Sequence, residues 1–157
     1  MLPEAELLPP QVLVVDANAR HCLLYRMEIE AHGYAVSCAH NGQDALLKLQ
    51  ARHFDLAVVD VSLPDISAND LLQQISACRD LENRRLPIII NTAYPYSQQQ
   101  ASRWSADAFL IKSSNLDGLL RKIMLFLKPQ NLRSKAPNRF RGHRFFRQRD
   151  LFIDCIV

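Results

Sequence analysis

Short apolar runs alternate with longer stretches in which apolar residues recur every three or four positions. The runs at Val12 to Val15, Tyr34 to Cys38, Leu56 to Val59, Pro87 to Ile90 and Ala108 to Ile111 are rich in β-branched residues and predict strands. The stretches between them predict helices. Asn18 is suited to cap the first, with Leu23, Leu24, Met27 and Ala31 facing inward and Gly33 as its stop. Asn41 is suited to cap a second, with Ala45, Leu46 and Leu49 on one face. A third, from about Ala68 to Leu81, buries Leu71, Leu72, Ile75 and Cys78. A short polar fourth covers about Ser97 to Ser105, and a fifth starts near Asn115 and buries Leu119, Leu120, Ile123, Met124 and Leu127.

A strand followed by a helix, repeated through the body of the chain, predicts an α/β fold with a parallel sheet and helices on both faces. Several strands are apolar on both faces, as parallel strands covered by helices must be. The length of 157 residues suits one domain of ordinary size, and a composition of 48% hydrophobic and 22% charged residues is that of a globular protein. No apolar run approaches the roughly 18 residues of a membrane span. The opening residues, MLPEAELLPPQ, carry acids where a signal peptide carries bases, so a cytoplasmic location is expected.

Charge divides the chain. Residues 1–127 hold 11 basic and 14 acidic side chains, a balance of −3; residues 128–157 hold 8 and 2, a balance of +6. Residues 1–10 read as an N-terminal extension, 11–127 as the folded domain and 128–157 as a basic tail with no separate output domain. In the tail, arginines interleave with Phe140, Phe145 and Phe146, a mixture that can bind phosphates and stack on bases. Nucleic acid is therefore one candidate partner for it; a solvated tail is the plainer alternative. Cys22, Cys38, Cys78 and Cys155 are far apart in sequence and form no CxxC pair, so they read as small core residues rather than a disulfide framework or zinc site. His21, His32, His40 and His53 have no metal-site spacing and suit surface or capping roles.

The chemistry gathers at the strand ends. Asp16 ends the first strand and Asp60 the third; the fourth delivers Thr92 and the fifth Lys112. Open parallel sheets bind ligands beyond the carboxyl ends of their strands, where strand order reverses. For the order 2-1-3-4-5 the reversal lies between the first and third strands, so both carboxylates should face one crevice. Two adjacent carboxylates repel, and a hard cation such as Mg²⁺ relieves that cost. A carboxylate could then attack a phosphoryl group, with Lys112 and Thr92 holding its oxygens. A structural Asp–Lys ion pair is the alternative. The body holds only Gly33, Gly42 and Gly118, and no GxGxxG, P-loop or nucleophile elbow follows a strand, which argues against a nucleotide-binding enzyme.

The segments VVDA, DVSLP, NTA and FLIK, in this order, resemble the receiver domain of two-component response regulators over residues 11–127. That resemblance implies a flavodoxin-like fold and a signalling rather than enzymatic protein. It implies that Asp60 accepts a phosphoryl group from a histidine kinase or phosphotransfer protein, that Lys112 pairs with the phosphate, and that Thr92 and Phe109 are switch residues. Mg²⁺ would be held by Asp16, Asp60 and the backbone carbonyl of Ser62. A downstream protein target is implied, and family members often pair as homodimers through the fourth helix, fifth strand and fifth helix. The family pattern has a second acid beside the first; Ala17 stands there and offers no ligand, which should weaken the metal. Asp65 and Ala68 stand where glycines are common, and Ser113 where proline is usual. A receiver that binds partners without phosphorylation is the competing reading.

Overall fold

The computed structural model describes residues 8–82, 85–96 and 98–127. Its elements run β1 (Gln11–Val15), α1 (Ala19–Ala31), β2 (Ala35–Ala39), α2 (Gly42–Ala51), β3 (Leu56–Val59), α3 (Ala68–Glu82), β4 (Ile88–Thr92), α4 (Gln98–Ala101), β5 (Ala108–Ile111) and α5 (Asp117–Phe126). The strands form one parallel sheet in the expected order, β2-β1-β3-β4-β5. Two apolar clusters lie on its opposite faces. One gathers Val12, Val14, Val58 and Ile89 with Tyr25, Ile29 and Ile123; the other gathers Leu13, Val15, Val59 and Ile90 with Leu46, Leu71 and Ile75. Alternate residues of one strand thus feed both layers, which is why the strands read as continuous apolar runs. The basic tail lies outside the described residues, as does the side chain of Cys78.

Helix starts follow the caps read from the sequence. The Asn18 side chain accepts from the Arg20 and His21 amides, and Asn41 accepts from Asp44. Gly33 ends α1 at φ 86°, a left-handed geometry that glycine adopts without strain. The inward face of α1 differs from the expected one. Cys22, Tyr25 and Ile29 are buried, whereas Leu23 (59% exposed), Leu24 and Met27 (62%) face outward with Ala31. The Asn18 cap fixes the phase of the helix, and phase decides which of two apolar stripes meets the sheet. In α5, Leu119, Leu120, Ile123 and Leu127 are buried, but Met124 is turned outward by its one-residue offset from Ile123. Helix α4 is shorter than expected because nothing apolar repeats along it. The chain leaves the helix so that Trp104 stacks on Phe109, ring centroids 6.0 Å apart, with Tyr96 edge-on at 4.9 Å to the indole.

The loop after β3 gives one departure from the glycine-rich pattern, Asp65, a structural role. The Asp65 carboxylate accepts from the Gly42 and Gln43 amides, both at 2.9 Å, and so seals the N-terminus of α2. Ile66 then lies against Gly42, where a Cβ would come within 2.0 Å of the isoleucine Cγ2. An acid stands at 65 where the resemblance leads one to expect glycine, and the close approach of Ile66 is accommodated by Gly42. Isoleucine is stiff at χ1 and cannot swing clear, so Gly42→Ala is expected to lower unfolding stability by about 1–3 kcal/mol, measured by urea denaturation. The amide bonds from Gly42 and Gln43 hold the Asp65 carboxyl below its ordinary value of 3.8. A carboxyl that binds its proton less tightly when folded stabilises fully above that value and loses the benefit as pH falls. The stability gap between the natural chain and Asp65→Asn should therefore be complete at neutral pH and close below about pH 4.

Candidate functional site

Register places the acids side by side. Val15 of β1 is paired with Val59 of β3, so the next residues, Asp16 and Asp60, emerge together at the carboxyl edge. The ladder continues past the strands: Asp16 N donates to Ala39 O, and Asp60 N donates to Val15 O at 2.8 Å. On the far side, Thr92 pairs with Ile111, and Lys112 N donates to Thr92 O at 2.7 Å. Four residues read from the sequence therefore share one edge, held there by backbone hydrogen bonds.

Their side chains meet. Lys112 Nζ lies 2.7 Å from Asp16 Oδ2 and 2.6 Å from Asp60 Oδ2. The carboxylates are 2% and 7% exposed as residues, so this ammonium is the cation that makes two buried anions tolerable. Burial works against the charge on Lys112, but the bonds and charges of Asp16 and Asp60 outweigh it and hold the ammonium above its usual pKa. The second oxygens are also held: Asp16 Oδ1 accepts from Asn18 N at 2.9 Å, and Asp60 Oδ1 from Ser62 N at 3.2 Å. Both carboxylates are thus fixed in rotation. Thr92 is fully buried, and its Oγ1 accepts from Tyr94 N at 3.5 Å. Phe109 lies within the aromatic cluster of Tyr96 and Trp104. Ala17 follows Asp16 with no donor to add.

The Response regulator receiver domain family matches residues 12–124. The chain belongs to that family. It is 32% identical over 110 residues to the transcriptional regulatory protein ZraR of Salmonella typhimurium, covering 69% of this chain and 24% of that protein. It is 27% identical over 122 residues to the response regulator ArlR of Staphylococcus aureus, covering 76% of this chain and 53% of that one. The chain thus spans only about a quarter to a half of the length of these curated relatives. Among solved structures it resembles the response regulator TrrA of Thermotoga maritima in complex with Mg²⁺ and BeF, with TM-score 0.65, 32% identity and coverage of 75% of this chain and 99% of that one. It resembles the receiver domain of a LuxO repressor protein from Vibrio parahaemolyticus with TM-score 0.67 and 27% identity, over 77% of this chain and 92% of that one.

This receiver carries residues at its pocket that sequence spacing did not reveal. His21, one turn into α1 from the Asn18 cap, puts Nδ1 3.3 Å from Asp16 Oδ2 and 3.3 Å from Lys112 Nζ. It is a pocket residue, not merely a surface one. The signal was available in principle: a side chain at the third helical position after a strand-tip acid points back over that acid. Beneath the pocket, Asn91 Nδ2 donates to Tyr25 Oη at 3.2 Å, joining β4 to α1 under the carboxylates. Behind Asp16, Cys22 Sγ donates to its carbonyl at 3.3 Å, and His40 Nδ1 lies 3.3 Å from the same carbonyl.

Lys112 is required for the two acids to coexist. Lys112→Met should reduce unfolding stability by about 3–5 kcal/mol, because it strands two buried carboxylates. Adding Asp16→Asn should restore part of the loss, which a double-mutant cycle by chemical denaturation measures directly. Strictly additive effects would show that the lysine and the acid act independently.

Proposed function

We propose that this receiver accepts a phosphoryl group on Asp60 from a histidine kinase or phosphotransfer protein, and then signals through contact with a downstream protein. The buried Asp16–Lys112–Asp60 cluster at the point where strand order reverses is the observation that carries the reading. A solved complex of the histidine kinase ThkA with TrrA, the latter 32% identical to this chain with TM-score 0.64, supports a kinase as donor; it covers 75% of this chain and 98% of TrrA. In the transfer, a carboxylate oxygen of Asp60 bonds to phosphorus as the bond from phosphorus to the donor's histidine nitrogen breaks. Lys112 turns from bridging two carboxylates to pairing with the phosphoryl oxygens, and the Thr92 hydroxyl hydrogen-bonds one of them. Such chemistry on a partner's phosphohistidine makes this a signalling module in the cytoplasm rather than an enzyme with its own substrate.

The donor set fits a hard divalent cation, since Asp16 and Asp60 present carboxylate oxygens to one point, where Lys112 Nζ lies. Asp16, Asp60 and the Ser62 carbonyl are the residues that would hold Mg²⁺, which supplies charge neutralisation to the transferring phosphoryl group. Ala17 removes one anionic ligand, so the affinity is weak. Thr92 and Phe109 would carry the response to the face of α4, β5 and α5, where Tyr94, Ile111, Met124 and Leu125 are exposed. That apolar surface supports pairing of two copies or docking of the target. The +6 charge of residues 128–157 supports a nucleic-acid contact by the tail.

A second reading has its own support. With no acid at 17, Lys112 is the one ammonium bridging both carboxylates among the described residues, so a phosphorylation-independent interaction module would keep the same pocket for stability. Acetyl phosphate with millimolar Mg²⁺ separates the two. The expected result is the mass gain of one phosphoryl group, lost in Asp60→Asn, and a beryllofluoride-induced change in the fluorescence of Trp104, the sole tryptophan. Ala17→Asp should tighten the apparent Mg²⁺ affinity by roughly tenfold. A natural chain that stays unmodified and silent while Ala17→Asp responds would establish the module without phosphorylation.

A further inference from the structure

Helix α1 is apolar on two sides. Cys22, Tyr25 and Ile29 pack on the sheet. Leu23, Met27 and Ala31 follow one another at four-residue steps, with Leu24 beside them, and all four are exposed. At about 100° per residue these side chains form one stripe that faces away from the sheet, about 12 Å long. A helix apolar on both sides is normally covered on both, yet this side is open, Met27 being 62% exposed. The chain carries a matching segment. Residues 151–157, LFIDCIV, hold six apolar side chains around Asp154 and lie outside the described residues. Left exposed, such a run invites strand pairing between chains.

Two observations direct that segment to α1. The first is the point from which residues 128–157 depart. Leu127 follows α5, and its carbonyl accepts from Tyr34 Oη at 3.0 Å. Tyr34 comes directly after Gly33, the residue that ends α1, so the chain leaves the domain at the C-terminal foot of that helix. The 23 residues of 128–150 can reach about 75 Å at full extension, against about 20 Å for the whole of α1. The tether therefore permits the contact, and it makes the encounter intramolecular, with the high effective concentration that brings. The second observation is charge. Arg144, Arg147 and Arg149 stand just before the apolar run. On α1 the acids are at the foot: Glu28 and Glu30 flank the stripe and are exposed, while Arg20 and Arg26 lie nearer the N-terminus. A segment that enters at the foot and runs back along α1 sets its arginines beside the glutamates and carries Asp154 toward Arg20. The other exposed apolar pair near the exit, Met124 and Leu125 on α5, follows Arg121 and Lys122, which repel a basic tail.

We propose that residues 151–157 of this chain fold back onto the outward stripe of α1, covering Leu23, Leu24 and Met27, with Arg144, Arg147 and Arg149 against Glu28 and Glu30. The apolar contact supplies the stability, since exposed ion pairs add little; the charges set the direction in which the segment lies. A partner that needs this face of α1 must displace the segment, so the two contacts exclude each other.

The chain has three methionines, Met1, Met27 and Met124, so methyl NMR reads the two exposed faces separately: Met27 reports on the α1 stripe and Met124 on α5. The full chain is labelled with carbon-13 at its methionine methyls. The expected result is a nuclear Overhauser contact between the Met27 methyl and the ring of Phe152. Phe152→Ser should abolish it and move the Met27 signal while leaving Met124 in place. That variant leaves both apolar clusters of the sheet untouched. Glu28→Lys combined with Glu30→Lys, both at exposed positions, should weaken the same contact; an undiminished one would remove the arginine–glutamate pairing. When methyl-labelled, otherwise deuterated chains are mixed with unlabelled chains, no such contact should pass between them. One that does would give the stripe to a second copy and overturn the proposal. A Met27 methyl indifferent to Phe152→Ser, or a response at Met124 in its place, would overturn it equally.

Discussion

Two buried carboxylates and one half-buried ammonium meet at the edge of the sheet, and the geometry there is set by the need to keep them together. A buried pair of acids is costly in any protein. Here the ammonium of Lys112 touches both, at 2.7 and 2.6 Å, while backbone amides hold the remaining oxygens. A site satisfied this fully cannot drift without losing a partner for a buried charge, so the three strand tips behave as one unit. Sheet order supplies the rest. β1 and β3 are neighbours only because the chain crosses from β2 back past β1, and that crossover sets Asp16 beside Asp60.

The fold was largely legible because its signals are one-dimensional. Strand runs, Asn18 and Asn41 caps, and Gly33 at the end of α1 are local features whose consequences stay local. The strand-tip residues were legible for a related reason: a residue that follows a strand in a parallel sheet has little choice of edge. Helix faces were less so. Leu23, Leu24 and Met27 outrank Cys22 and Tyr25 in hydrophobicity, yet the sheet receives the latter, because phase and the shape of the receiving surface decide burial. The short α4 departs from the expected length for a similar reason, since the stacking of Trp104 on Phe109, the residue five positions on in β5, depends on how the connecting turn folds back.

What the sequence concealed were the contacts between elements. His21 looked like a capping or surface residue and proves to share the pocket with Asp16 and Lys112. Cys22 and Cys38, 16 positions apart, become neighbours only when α1 lies over β2. Asp65 looked like a defect in a glycine loop, whereas it caps α2 across 23 and 22 positions of sequence. In each case the residue type was informative and its partner was not, because pairing across elements depends on register and crossing geometry.

Ala17 acquires a physical meaning beside Lys112. With an acid at 17, three carboxylates would share one lysine, and an added divalent cation would be the natural way to balance them. With alanine, two carboxylates and one ammonium leave a net charge of −1 in a pocket that is already hydrogen-bonded. The charge that would recruit a cation is lower than with a third carboxylate, and so is the number of ligands that could hold one, which is the physical basis of the weak affinity proposed above. His21 adds a further polar contact to Asp16 and Lys112, which stiffens the lysine-bridged pocket. In the proposed transfer to Asp60, an incoming phosphoryl group would compete with the internal lysine bridge, since Lys112 would have to give up part of its hold on Asp16 to follow it. The substitution at 17 therefore bears on the balance between a self-neutralised pocket and a cation-assisted one, while leaving Asp16, Asp60 and Lys112 themselves in place.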